Sequence, residues 1–165
     1  MLYDNIEEMK DFGFKGFETV ETLMMYECSQ VPKQKGIYFV LNTNGSPSFL
    51  QQSVGGHFKK RNPTVSVNEL KENWVDNTLV VYIGKAGGSN SKATLQSRLK
   101  QYMRFGESEP VGHWGGRLIW QLANNRDLTI CYKTLSSSEP RDEEKKLILD
   151  FEANYGKMPF ANLSH

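Results

Sequence analysis

The chain has 165 residues, 38% of them hydrophobic and 24% charged, which is the composition of one globular domain with a proper core. Its formal net charge of +1 excludes a strong overall field for attracting nucleic acid, so any such contact must come from local clusters of Lys and Arg. The N-terminus is acidic and lacks the basic-then-apolar order of a signal peptide, and no apolar run approaches the ~20 residues that a membrane helix needs. The two cysteines are far apart in the sequence. We therefore predict a cytoplasmic protein with no membrane contact.

The N-terminal segment, residues 1–35, is predicted to pack on one side of the core. Val20, Leu23 and Met24 recur at helical spacing, and we expect Pro32 to end that helix because proline lacks an amide hydrogen. A first strand is predicted at 36–41, where an apolar run rich in β-branched and aromatic residues begins at a glycine.

An insertion at 42–78 separates this strand from the next and contains a basic loop. Three consecutive cations beside an aromatic ring and two glycines can grip a phosphate backbone while a base stacks on the ring. The alternative is an ordinary solvated loop. A short helix is predicted after it, at 65–74. The candidate nucleic-acid-binding residues of the loop are His57, Lys59, Lys60 and Arg61, next to Phe58.

A second strand is predicted at 79–84, followed by a flexible loop and a helix from about Thr94 to Phe105. One face of that helix is apolar, and Arg98 lies at its margin. Leu118, Ile119 and Leu122 suit a further helix. The residues of the apolar stripe are Leu95, Leu99 and Tyr102.

His113 lies in the loop between these elements. A loop histidine can contact a phosphate group, which makes it another candidate nucleic-acid-binding residue. Its position beside Trp114 is equally consistent with a structural role.

The last predicted elements are a third strand at 127–135 and a helix at 141–154, which starts near Pro140. Glu144 lies on the apolar face of this helix, and a carboxylate in that position is costly unless it is paired, protonated or bound to a cation. It is therefore a candidate Mg²⁺ ligand. The alternative is a first-turn glutamate that the helix dipole favours and an arginine pairs. The apolar face comprises Leu147, Ile148 and Phe151.

The positions of these polar residues resemble the pattern of the GIY-YIG nuclease superfamily: a tyrosine on each of two strands, an arginine on the following helix and a glutamate on a later helix. The match covers residues 36–162. It implies an α/β fold with a small, mainly antiparallel three-stranded sheet flanked by helices, in a catalytic domain at 36–165. The matching residues are, in order, Tyr38, Tyr82, Arg98 and Glu144, with Lys85, Tyr102 and Asn162 at further shared positions.

The resemblance also implies an enzyme, an endonuclease that depends on Mg²⁺ or Mn²⁺ and hydrolyses phosphodiester bonds of DNA. Tyr38 would activate a water molecule with the help of Lys85, and Arg98 would clamp the phosphate. Glu144 would bind the metal ion. The supporting roles would fall to Tyr82 and Tyr102, which position phosphate or water, and to Asn162, which orients the site.

Two other functions remain open at this stage. One is a catalytically idle nucleic-acid-binding module of the same fold, and the other is a nuclease that acts on RNA or branched DNA. An enzyme with one active site must cut two strands in succession or act as a homodimer, and the sequence favours neither.

Overall fold

A computed structural model describes residues 1–164, which form a mixed α/β structure around an antiparallel sheet. The four strands lie in the order β1-β4-β2-β3. No helix of residues 1–164 has the length and apolar character needed to cross a lipid bilayer. The strands are β1 (Lys15–Thr19), β2 (Gly36–Leu41), β3 (Val80–Ala86) and β4 (Thr129–Thr134). The α-helices are α1 (Ile6–Asp11), α2 (Val20–Met25), α3 (Val67–Asn73), α4 (Leu95–Gly106) and α5 (Pro140–Tyr155), and short 3-10 helices occur at Leu2–Asp4, Phe58–Lys60, Trp114–Gln121 and Asn125–Asp127.

The predicted sheet of three strands is wrong, because β1 adds a fourth strand that pairs with β4. This pairing shifts register between Gly16 and Glu18, and Phe17 adopts a positive φ of 57° there. A bulge in so short a strand breaks the alternation by which a strand is recognised in sequence. The N-terminal segment therefore contributes to the sheet itself.

Helix α2 also differs from its prediction, because it ends at Met25 well before Pro32. Glu27 and Cys28 both adopt left-handed backbone conformations, with φ of 53° and 56°, and these terminate the helix. The turn keeps Cys28 buried.

The central strand β2 is buried along its whole length, and its alternate side chains enter two separate cores. Tyr38 and Val40 face the core that contains the buried side of α4. Ile37 and Phe39 face the core that contains the buried side of α5. The sheet thus separates two helical layers. Side chains from both layers can meet at the edge of the sheet.

Helices α4 and α5 begin as their sequences predict. Thr94 caps α4 in a capping box with Ser97, and Pro140 occupies the first turn of α5. The two predicted apolar stripes are confirmed, since all their members are buried. Arg98 and Glu144 lie beside these stripes, so each is held at the boundary of a core.

The outer edge of β3 is covered by the end of the chain. Asn162 donates from its side-chain amide to the carbonyl of Ile83 and accepts from the amide of the same residue, both at 2.9 Å. Ala161 adds a backbone bond of 2.9 Å to Val81. Ala161 and Asn162 of the C-terminal tail therefore make hydrogen bonds to backbone groups on the side of β3 that faces away from β2.

Candidate active site

Five of the predicted catalytic residues line one pocket of about 170 Å³ at the end of β3. They come from β3, α4, α5 and the C-terminal tail. The pocket therefore depends on the packing of both helical layers against the sheet. An adjoining hollow of about 520 Å³ shares Lys85 and Glu144 and adds Arg141. The pocket residues are Tyr82, Lys85, Arg98, Glu144 and Asn162, with Gly115, Leu163 and Ser164.

Tyr38 and Tyr82 point to the same side of the sheet, with their ring centroids 6.0 Å apart. Tyr38 pairs across the sheet with Gly84, and a Cβ atom at Gly84 would collide with Cζ of Tyr38. Glycine at this position therefore allows the ring of Tyr38 to lie across β3 beside Tyr82.

Arg98 is fixed by two hydrogen bonds from Nη1, one to Oε1 of Gln101 and one to the carbonyl oxygen of Gly112, both at 2.9 Å. A guanidinium group has five N–H donors in one plane. Among the described residues 1–164, both hydrogen bonds of the guanidinium group start from Nη1. The N–H groups of Nη2 and Nε can therefore donate to a ligand in the pocket.

Glu144 is half-buried at the pocket wall. Burial raises the pKa of its carboxyl group, and the positive charges of Lys85, Arg98 and Arg141 oppose that rise. A single carboxylate is therefore surrounded by cations, which is a setting that attracts a phosphate. Nowhere in residues 1–164 do three or more His, Cys, Asp or Glu side chains form a ready-made metal site.

Tyr82 is the tyrosine that reaches the pocket, with 7% of its surface exposed. Burial and the charge of Glu144 raise its pKa to about 12. Arg98 and a hydrogen bond from Tyr38 act in the opposite direction and lower the pKa. The charges of a carboxylate and a guanidinium, both in the pocket lining, therefore act on its hydroxyl group in opposite directions.

Tyr38 and Tyr102 do not reach the pocket, because both are completely buried. The hydroxyl of Tyr38 lies 3.0 Å from Nε2 of His113, and the ring of Tyr102 meets that of His113 edge-on at 4.8 Å. Burial raises the pKa of each phenol well above its usual value. These two tyrosines therefore pack in the core beneath the pocket residues and do not line the pocket.

The predicted contact between His113 and a phosphate group is wrong, because the side chain is 0% exposed. Burial and the nearby charge of Arg98 lower its pKa well below the usual value. His113 is thus a neutral interior group. A loop has no periodicity from which its burial could be predicted.

The basic loop lies next to the pocket and is exposed as predicted. The guanidinium groups of Arg61 and Arg117 both lie over the ring of Trp114. Their Cζ atoms are 4.6 and 4.7 Å from the ring centroid, respectively. Trp114 directly precedes Gly115 of the pocket lining. The exposed members of the loop are His57, Lys59, Lys60 and Arg61.

Arg117 and Arg141 are two further cations at the site that were not predicted from the sequence. Arg117 follows Trp114 at a spacing of three residues, which was a usable signal in a helical segment. Arg141 had no signal of its own, since a cation in the first turn of a helix is ordinary on a surface. Its relevance comes from the hollow that it shares with Glu144.

No protein-family model matches the chain, and comparisons with curated proteins and with solved structures found no match either. The function is therefore inferred from the pocket residues and the basic surface beside them.

Proposed function

We propose that the protein is a cytoplasmic, divalent-metal-dependent endonuclease of the GIY-YIG type that hydrolyses phosphodiester bonds of DNA. The observation that carries the proposal is the convergence of Tyr82, Lys85, Arg98 and Glu144 in one pocket. This set combines cations that bind a phosphate, a carboxylate that can hold a metal ion and a phenol that can handle a proton. A purely structural cluster would not need all three in a solvent-accessible pocket.

Arg98 is the residue best placed to bind the scissile phosphate. Its hydrogen bonds to Gln101 and Gly112 hold the guanidinium plane before a ligand arrives. Preorganised donors of this kind stabilise charge that develops in a transition state without further rearrangement. Lys85, near the end of β3, would add a second cation to the pocket.

Glu144 would hold the metal ion, because Mg²⁺ is commonly bound by one or two carboxylates, with water and phosphate oxygens completing its shell. The residues fit this description only when a phosphate is present, since Glu144 is the sole carboxylate among the pocket-lining residues. A bound Mg²⁺ would neutralise charge on the phosphate and on the leaving oxygen.

Tyr82, in its ionised form, would accept the proton of the attacking water, a role that we move from Tyr38 because Tyr38 is enclosed. The water oxygen forms the new bond to phosphorus while the bond to the leaving oxygen breaks, and that oxygen takes up a proton from solvent water. Lys85 would assist as a neighbouring positive charge. Tyr38, Tyr102 and Asn162 would hold the two strands and the tail in place.

The basic loop and the Arg61–Trp114–Arg117 stack would bind the DNA backbone beside the cut. Trp114 connects them to the pocket, since it precedes Gly115 in the chain. Phosphate contacts of this kind supply affinity without reading sequence. The nucleic acid would then extend from the pocket across the loop.

The direct test is cleavage of a supercoiled plasmid with Mg²⁺ or Mn²⁺, compared with EDTA. We expect nicked or linear product that EDTA and Glu144→Gln both abolish. Glu143→Gln is the matched control, because it removes the same charge from the neighbouring position of α5, outside the pocket lining, and should retain activity.

Cleavage that survives Glu144→Gln would remove the metal-ligand assignment. Binding without cleavage on plasmid, branched DNA and RNA would instead support an idle nucleic-acid-binding module. Preferential cleavage of branched DNA or of RNA would keep the chemistry and change the substrate.

A further inference from the structure

Among residues 1–164, one ring nitrogen of the buried His113 has a hydrogen-bond partner and the other has none. Its Nε2 lies 3.0 Å from the hydroxyl oxygen of Tyr38. Its Nδ1 has no hydrogen-bond partner among residues 1–164; the residue's own carbonyl lies near, but outside hydrogen-bonding geometry. Gly116 makes room for the ring, since a Cβ there would lie 2.7 Å from Cε1. A neutral imidazole carries its proton on one of these two nitrogens, so the surroundings decide which.

The surroundings favour the proton on Nε2. A proton on Nδ1 would leave a buried N–H group without an acceptor, which is a rare and costly arrangement in proteins. A proton on Nε2 is donated to Tyr38 and leaves only a lone pair without a partner. His113 also stays neutral, because burial and Arg98 lower its pKa.

The position of this proton determines the direction of the next hydrogen bond. When Tyr38 accepts from His113, its own hydroxyl hydrogen is free to turn toward Tyr82, whose ring centroid lies 6.0 Å away and whose pKa the Tyr38 hydroxyl lowers. With the proton on Nδ1, Tyr38 would donate inward to His113, and Tyr82 would lose this donor. The two tautomers therefore make opposite predictions for Tyr82.

We propose that His113 is a positioning residue whose Nε2–H is donated to Tyr38, which leaves the hydroxyl hydrogen of Tyr38 free to turn outward, toward Tyr82. The effect on cleavage rests on the proposed nuclease function, whereas the direction of the hydrogen bonds does not depend on any reaction.

The first test is nitrogen NMR of the protein labelled with ¹⁵N-histidine. The chain has three histidines, and the signals that disappear in His113→Gln belong to His113. We expect a protonated, pyrrole-type Nε2 and an unprotonated, pyridine-type Nδ1 at neutral pH. The reverse assignment would overturn the proposal even in a protein that cleaves DNA, and the expected one stands even in a protein that does not.

The second test compares His113→Gln with His113→Asn in plasmid cleavage. The Gln amide nitrogen can reach the position of Nε2 and donate to Tyr38, whereas the Asn amide nitrogen falls near Nδ1. We expect Gln to stay within a few-fold of the original rate and Asn to lower kcat about tenfold with KM unchanged, which is the loss of one neutral hydrogen bond. Equal rates for the two variants would overturn the positioning role, and if His113→Asn does not fold, the NMR result and the Gln variant decide.

Discussion

Each side of the pocket wall contains a tyrosine, but the two tyrosines lie in different surroundings. On the open side, Tyr82 lies among Lys85, Arg98 and Glu144. On the enclosed side, Tyr38 is completely buried, and its hydroxyl lies 3.0 Å from Nε2 of His113. Although the two tyrosine rings are 6.0 Å apart, Tyr82 lines the pocket and Tyr38 does not. Residue type alone therefore does not identify which tyrosine a ligand in the pocket could reach, because burial decides it.

The largest effect is expected on the open side, for Arg98→Gln. Loss of a preorganised phosphate clamp should lower kcat about 10³-fold. Arg104→Gln is the control on the same helix, since Arg104 is exposed and pairs with Glu109 at the surface. An equal loss in both variants, measured by plasmid nicking, would mean that α4 contributes only general positive charge.

Tyr82→Phe and Tyr38→Phe test the comparison directly. Removal of the proton-handling hydroxyl at Tyr82 should lower the rate about 10²-fold, whereas Tyr38 acts through one hydrogen bond and should cost about tenfold. A larger loss for Tyr38→Phe would reverse the assignment of the two sides.

The pH dependence gives an independent measure of the same assignment. The pKa of Tyr82 is about 12, so its base form becomes more populated as pH rises toward that value. We expect log(kcat/KM) of the original protein to increase between about pH 7 and 9, and the profile of Tyr82→Phe to lose this increase. A profile unchanged by the substitution would assign proton transfer to another group.

Gly84→Ala probes the enclosed side through stability. The new Cβ would collide with the ring of Tyr38, and overpacking of this kind costs about 1–3 kcal/mol in the free energy of unfolding. Gly112→Ala is the control, because its Cβ would make an ordinary contact at 3.7 Å from Phe58. Urea denaturation should also show that Tyr38→Ala relieves part of the cost in the double variant, and simple additivity would contradict the collision.

The smallest effect is expected at the rim, for Arg61→Gln. Loss of one phosphate contact should weaken DNA binding a few-fold and reduce the slope of log affinity against log salt by about 1. Arg126→Gln removes the same charge near Thr129, at the end of the sheet opposite Lys85, and should leave the slope unchanged. A change in kcat for Arg61→Gln would place Arg61 inside the reacting site.

Sequence patterns predicted those parts of the molecule that are periodic. The strand at 36–41 and the stripes that begin at Leu95 and Leu147 are confirmed because burial imposes regular spacing on strands and helices. Strand β1 was missed because its bulge removes the alternation. The grouping of Tyr82 with Arg98 was anticipated only through the order of residues in a family pattern.

The difference between Tyr38 and Tyr82 could not be predicted in this way. Tyr38 is enclosed by His113 and its neighbours, which belong to an irregular segment and a 3-10 helix. The position of such a segment depends on tertiary packing and leaves no periodic trace in the sequence. The same reason explains why the sequence could not decide between a phosphate contact and a structural role for His113.

The bonds that Asn162 makes to Ile83 have a consequence for assembly. An open sheet edge is a template for pairing with another chain, but here the tail occupies the outer groups of β3. The other edge strand, β1, is short and bulged near Gly16. Two copies that cut opposite strands of one duplex would therefore have to meet through helices or loops, so a homodimer of this protein would be built without extending its sheet.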